Sequence, residues 1–397
     1  MPAEIAVVGA GTMGAGIAQL ALEHGHAVRL LDIDGGAIVR ARAGLEERLV
    51  RRLAGRGLTG PALDTALAEV LGRLVLGNDP DEVAGASIVI EAVVEALEVK
   101  RALFARLDRV TSREVILATN TSALSVGAIA AAAVHHPQRV VGLHFFNPAP
   151  VMPLCEVVAG PLTDPAVVEF GANLVGGWQR TPIRCADRPG FVVNRVNRPF
   201  TIQALRLLES GAATITLIDA AIRAAGFPMG PFELMDLVGI EVSLATTTGI
   251  WEGFDRTVRF RPSPIQAELV AAGRLGRKSG SGFYRYGPTG ERLGPAPGFE
   301  VMAGRGQRPE APGSIAEQVR LAIVNEAFRA LDEHVAADEA TIDLALRLGA
   351  AHPQGPFAWA RERGLAEVVV RLESLARADP DTFSPAPGLL RAATAEP

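Results

Sequence analysis

The chain has 397 residues, room for two or three domains with substantial cores. Apolar residues make up 48%, charged residues 21% and aromatics 5%, which excludes a chain that is disordered throughout. The net charge of −5, from 39 basic and 44 acidic residues, gives no general attraction to nucleic acid or to an anionic membrane. Two cysteines, Cys155 and Cys185, provide neither a disulfide framework nor zinc-ligand spacing. The N-terminus shows no basic and apolar leader, and the apolar runs are too short to span a bilayer. No metal and no membrane association are therefore expected, and a reducing cytoplasm fits best.

Taken in chain order, strand-like runs at 5–8, 27–31, 87–90, 115–118 and 140–143 alternate with helical patterns, the longest over about 36–52. That alternation predicts parallel βαβ units covered on both faces. After Asp187-Arg188-Pro189-Gly190 the pattern turns helical to about Leu275, with breaks at Gly211, Gly226-Phe227-Pro228 and Gly239. Seven glycines and five prolines between Arg285 and Gly313 read as a linker. Helical periodicity resumes to about Ala378, and the Pro/Ala-rich tail is expected to fray. The stretch from Ala204 through Ile218-Asp219 to Gly230-Pro231-Phe232 is echoed from Ala327 through Ile342-Asp343 to Gly355-Pro356-Phe357, each interval kept to within one residue. A duplicated helical domain explains this better than chance. The expected domains are 1–186, 187–286, a linker over 287–312, and a second, degenerate helical copy over 313–397.

Gly9-Ala10-Gly11-Thr12-Met13-Gly14 follows the first strand and opens the first helix. In that context Gly9 allows the tight turn, Gly11 leaves room for a pyrophosphate, and Gly14 lets the helix pack on the sheet. Asp32 closes the second strand eighteen residues after Gly14, where a carboxylate accepts from a ribose 2′-hydroxyl and repels a 2′-phosphate. The first domain is thus read as an α/β Rossmann-type fold that binds NAD, followed by two all-α domains.

His144 stands just past the run at 140–143, and Glu156 interrupts the apolar stretch Pro153-Leu154-Cys155-Glu156-Val157-Val158. Each has an ordinary reading, a core histidine and an edge-strand carboxylate facing water. A buried carboxylate needs a partner, however, and an imidazole supplies one. The pair would make the imidazole a base for an alcohol proton while hydride leaves for nicotinamide. Ser122 follows the strand at 115–118, and Asn194 lies in the turn after Pro189-Gly190. Taken singly, both read as local caps.

Together these segments resemble the L-3-hydroxyacyl-CoA dehydrogenase family. The matches are the glycine turn, Glu91-Ala92-Val93-Val94-Glu95, Asn120-Thr121-Ser122, Gly142 through Pro148, and Asp187 through Arg195. Gly226 through Leu234 and Lys278 through Tyr284 complete the series, which covers about residues 4–286. The resemblance implies that His144 is the base and Glu156 its partner, with Ser122 and Asn194 beside the substrate hydroxyl and thioester carbonyl. It also implies that Asp32, Glu95, Lys100 and Asn120 contact NAD and that the partner is an acyl-CoA. Lys100 is one of only two lysines in the chain, although a helix-surface lysine is its simplest reading. Arg40, Arg42, Arg48, Arg51 and Arg52 could meet the phosphates of coenzyme A, while a solvated helix face interleaved with Glu46 and Glu47 accounts for most of them. Family members commonly dimerise through the first helical domain, so a homodimer or an intrachain pseudo-dimer is expected. A dehydrogenase of a free hydroxy acid such as a sugar acid, and a non-catalytic NAD-binding regulator, are the competing readings.

Overall fold

Apolar runs such as Ile5-Ala6-Val7-Val8 and Ile88-Val89-Ile90 have no polar face to give to water, so both of their faces must be covered. In the computed structural model, which describes residues 4–83, 85–299 and 311–395, they enter one eight-stranded sheet. The chain divides into two compact units, one ending at Asp187 and the other beginning at Arg188.

The first unit runs β1 (Glu4–Val8), α1 (Thr12–Glu23), β2 (Ala27–Leu31), α2 (Gly35–Gly55), α3 (Gly60–Leu71), β3 (Leu74–Gly77), β4 (Ile88–Glu91), α4 (Leu97–Val110) and β5 (Ile116–Thr119). It continues with α5 (Val126–Ala130), β6 (Val140–Phe145), β7 (Leu154–Ala159), α6 (Pro165–Gly177) and β8 (Thr181–Ala186). Strand order is β3-β2-β1-β4-β5-β6-β7-β8. The order switches on either side of β1, which opens the crevice where doubly wound sheets take their ligands. Ile5, Val7, Leu20, Leu30, Ile90, Leu143 and Trp178 belong to one continuous core.

The structure corrects the expected parallel arrangement in one place. β7 pairs antiparallel with β6 and parallel with β8, so the last two strands run against the first six. The reason is connection length. Residues 146–153 join β6 to β7, too few for a parallel crossover, which takes about a dozen or more. β3 and β8 lie at the sheet edges and escaped the sequence reading for different reasons: β3 is only four residues long, and β8 carries Pro182 and Arg184, which an edge strand tolerates.

The second unit contains α7 (Val193–Val196), α8 (Arg198–Glu209), α9 (Ile215–Ala224), α10 (Pro231–Val238), α11 (Ile240–Gly253) and α12 (Pro264–Ala271). The hairpin β9 (Tyr284–Tyr286) and β10 (Arg292–Pro295) comes next. Then follow α13 (Pro312–Asp332), α14 (Glu339–Gly349), α15 (Pro356–Arg363), α16 (Leu365–Ala376), α17 (Pro380–Phe383) and α18 (Pro387–Ala395). The expected linker is thus structured at its start, while residues 300–310 lie outside the described residues. Asp236 is the reason: its buried carboxylate accepts from Phe283 N and Tyr284 N, both at 2.9 Å, and from the Tyr286 hydroxyl at 3.0 Å. The tail expected to fray is helical through Ala395, with Phe383 and Leu389 buried.

Both halves of this unit contain the same local device. Asp219 accepts from Phe232 N at 3.0 Å and Glu233 N at 3.3 Å, so it caps α10 from α9. Asp343 accepts from Phe357 N at 2.8 Å and Ala358 N at 2.9 Å, so it caps α15 from α14. Gly230 and Gly355 open these helices, and a Cβ on either would run into the capping aspartate. α13 packs against α7, α8 and α9. Among the described residues no helix is long and apolar enough to cross a membrane, and no group of three or more His, Cys, Asp or Glu is placed to hold a metal ion.

Candidate active site

The glycine turn leads from β1 into α1. Gly9 has φ of +106°, which a side chain would strain, and a Cβ on Gly14 would fall on the Gly9 carbonyl. Above Gly11 the space is open, with no atom within 4 Å of the position a Cβ would take. Gly11 is the N-cap of α1 and no side chain caps that helix, so its first N–H groups and partial positive charge are left for an anion. Thr12 and Met13 form the first turn. Asp32 accepts from Ala10 N at 2.7 Å and from Asp34 N at 2.9 Å, which ties the end of β2 to the glycine turn. A carboxylate has about four acceptor positions, so capacity remains for ribose hydroxyls. Arg29, the basic residue nearest in sequence, is paired with Glu4 at 3.0 Å. These features fit a dinucleotide without a 2′-phosphate.

Beside this turn lies a cavity of about 740 Å³, lined by Gly11, Thr12, Gly16 and Pro148 together with four arginines. Of the basic residues weighed for phosphate contact, Arg40, Arg48, Arg51 and Arg52 reach it, whereas Arg42 does not. Arg40 and Arg51 remain on a solvated face, paired with exposed Asp34 and Glu47, whereas Arg48 and Arg52 are held by partners on α1. Arg48 donates to Gln19 at 2.7 Å and Arg52 pairs with Glu23 at 3.1 Å.

His144 lies within β6, not beyond it as the sequence suggested, and Glu156 is its register partner on β7. Directly opposite residues of an antiparallel pair hold their Cβ atoms about 4.5–5.5 Å apart, so the ladder itself brings the two side chains together. The His144 Nδ1 to Glu156 Oε2 distance is 2.6 Å. Glu156 is 0% exposed and β7 is an interior strand, which overturns the alternative of a water-facing edge carboxylate. The imidazole is 4% exposed and its centroid lies 4.5 Å from that of Phe146.

A second buried cluster sits at the ends of β4 and β5. Lys100 is 1% exposed, against its simplest reading as a surface lysine. Its Nζ donates to Glu91 at 2.5 Å and pairs with Glu95 at 3.1 Å. Glu91 also accepts from Val93 N and the Thr119 hydroxyl, both at 2.7 Å. Glu95 accepts from the Thr121 hydroxyl at 2.6 Å and from Ser122 N at 2.8 Å, so it fixes the loop that carries Ser122. Burial alone would raise the Glu95 carboxyl, but the Lys100 charge and these hydrogen bonds hold it below the usual range. Asn120 Oδ1 accepts from Phe145 N at 2.9 Å, which locks the end of β5 to the strand that bears His144. Glu91 is the residue that sequence reading passed over. Its signal was a carboxylate closing a wholly apolar strand nine residues before a rare lysine.

Asn194 belongs to the second unit, on α7, and is half-buried. Its neighbours are firmly held within that unit. Arg195 is fully buried, pairing with Glu326 at 2.8 Å and with Glu333 at 2.7 Å. The Asn197 side-chain Oδ1 accepts from His352 Nε2 at 2.8 Å.

A family model described as 3-hydroxyacyl-CoA dehydrogenase, NAD binding domain, matches residues 4–188. A second, described as the C-terminal domain of the same enzyme, matches residues 190–286 and 313–396. The chain belongs to the 3-hydroxyacyl-CoA dehydrogenase family. It is similar to a 3-hydroxyadipyl-CoA dehydrogenase of Escherichia coli, at 38% identity over 94% of this chain and 93% of that one. A 3-hydroxybutyryl-CoA dehydrogenase of Mycobacterium tuberculosis is 40% identical over 71% of this chain and 98% of its own. The crystal structure of a 3-hydroxybutyryl-CoA dehydrogenase from Escherichia coli superimposes with a TM-score of 0.87, at 37% identity over 99% of this chain and 98% of that one. As a member of the 3-hydroxyacyl-CoA dehydrogenase family, the chain is an NAD-dependent oxidoreductase.

Proposed function

We propose that this enzyme oxidises the (S)-3-hydroxyl of an acyl-CoA thioester to the ketone, reversibly, with His144 as base and Glu156 as the anion that sustains it. The observation that carries this reading is the 2.6 Å contact between two side chains almost wholly excluded from water. Pairing through Nδ1 makes Nε2 the nitrogen that takes the hydroxyl proton. As it does so, the buried carboxylate offsets the positive charge that the ring acquires. NAD, when bound, accepts the hydride from C3. The glycine turn from Gly9 to Gly14 and Asp32 hold its pyrophosphate and ribose, while Asn120, Glu95 and Lys100 shape the floor of the nicotinamide end. For Lys100 the buried pairing with two carboxylates supports a positioning role, through Glu95 and the loop of Ser122. Ser122 and Asn194 orient the substrate hydroxyl and thioester carbonyl, and the arginines at the cavity meet the coenzyme A phosphates. Replacing His144 by Gln is expected to abolish turnover of 3-hydroxybutyryl-CoA and leave NAD affinity within twofold. Retained turnover would remove His144 from the role of base.

The two halves of the helical unit are read as a duplication that makes a pseudo-dimer within one chain. The paired Asp219 and Asp343 caps and the double match of one C-terminal model support this. Light scattering should then give a monomer for the full chain, and a stable dimer would refute it. A reducing compartment such as the cytoplasm is supported by Cys155 and Cys185. Both are free and buried, their thiols pushed up by burial first and then by the Glu156 charge.

A further inference from the structure

We propose that Arg198 receives a carboxylate at the far end of the acyl chain, so that the substrate class is an ω-carboxyl 3-hydroxyacyl-CoA. The inference rests on the reading of Asn194 as a residue beside the reacting end of the substrate.

Among the described residues three arginines are buried, and two of them are paired with carboxylates. Arg139 pairs with Asp108 at 2.9 Å and donates to main-chain carbonyls, and Arg195 pairs with Glu326 and Glu333. Arg198 has no such partner. It is 8% exposed, its guanidinium makes one long contact, Nη1 to the Thr247 hydroxyl at 3.4 Å, and its Nε has no acceptor. Burial lowers its pKa to about 10, which still leaves it charged at neutral pH. A buried, uncompensated cation is costly to a fold, so packing does not explain it. An anion would.

The spacing suits a short chain. Arg198 follows Asn194 by four residues, and only Asn197, itself in right-handed helical conformation, separates α7 from α8. Four helical residues rise about 6 Å. In a 3-hydroxyadipyl group two methylenes separate the carbinol carbon from the terminal carboxylate, a comparable reach once the length of the arginine is added. The guanidinium fork also matches a carboxylate with two parallel hydrogen bonds.

The test compares 3-hydroxyadipyl-CoA with 3-hydroxyhexanoyl-CoA, which share six acyl carbons and the same coenzyme, by following NADH formation with the full-length enzyme. Wild type is expected to favour the carboxylated ester at least about tenfold in kcat/KM. Arg198→Met should lower kcat/KM on that ester about 100-fold and leave the hexanoyl ester within about threefold. Arg198→Lys should fall between. A coenzyme phosphate bound by Arg198 would make both esters suffer alike, and that result overturns the proposal. So does a wild type that favours the hexanoyl ester or treats the two equally. Since an unpaired charge is being removed, Arg198→Met should melt no lower than wild type. A lower melting temperature with parallel loss on both esters would make the residue structural and refute the inference. Should Arg198→Met fail to fold, the wild-type ratio and Arg198→Lys decide. Inactivity of the wild type on both esters would instead overturn the dehydrogenase assignment beneath it.

Discussion

Replacing Glu156 by Gln isolates the carboxylate charge while preserving shape and an acceptor for the imidazole N–H. Unit charges about 4 Å apart attract by about 4 kcal/mol at an effective dielectric of about 20, a value suited to protein sites. The amide still accepts the Nδ1 hydrogen, a neutral bond contributing about 1 kcal/mol. The imidazolium formed during oxidation therefore loses about 3 kcal/mol of support, or roughly 100-fold in kcat/KM. The 2.6 Å contact and the 0% exposure of Glu156 place the pair in the regime where solvent does not screen this loss. Steady-state oxidation of 3-hydroxybutyryl-CoA, followed as NADH absorbance, measures it, and calorimetric titration with NADH should show unchanged affinity. Residues acting as a unit are not additive, so the double variant with His144→Gln should be no slower than His144→Gln alone. Turnover of Glu156→Gln within fivefold of wild type would refute the coupling. A double variant whose loss is the product of the two single losses would do the same.

Lys100→Met strips the buried Glu91 of its cation and is expected to cost the first unit about 3–5 kcal/mol, the usual loss when one partner of a buried pair is removed. Denaturant unfolding measures it; adding Glu91→Gln should recover at least half, and a loss below about 1 kcal/mol would contradict the pairing. His352 gives a pH dependence with a definite sign. Burial first, then the nearby Arg320 charge, lowers its pKa to about 3, whereas an unfolded histidine titrates near about 6.5. Between these values the unfolded chain binds a proton that the folded chain refuses. The contribution of His352 is therefore fully present above about pH 6.5 and is lost as pH falls toward 3, by about 1.4 kcal/mol per unit. Stability measured from pH 6 to 4.5 should fall more steeply for wild type than for His352→Gln, and equal slopes would show that the ring is not held neutral by burial.

The glycine turn, Asp32 and the strand cores were readable in the sequence because each depends on local chemistry: a turn without side chains, an acid closing a strand, a run of β-branched residues. His144 and Glu156 were legible as a pair, but for a reason that the structure replaces. A buried acid needs a partner, yet what supplies it is a reversed strand, and strand direction follows from a connection length that periodicity does not report. Lys100 shows the opposite limit. Its rarity drew notice, whereas its burial depends on Glu91 and Glu95 converging from elements that only the tertiary fold brings together. The hairpin at Tyr284–Tyr286 was hidden by the glycines and prolines that build its turns, and it is anchored by Asp236, far away in sequence.

Because the acid faces its histidine through strand pairing, the two sides of the β6–β7 corner are under different constraints. Residues 146–153 can lengthen or shorten without separating base from acid, since the ladder and not the corner sets their meeting. A slip of β7 by a single residue is another matter. Side chains alternate between sheet faces, so it would turn the carboxylate to the opposite side and bring Cys155 or Val157 round in its place. Remodelling of this corner is thus open to short insertions that stay below the length of a parallel crossover, while the parity of the returning strand must be kept.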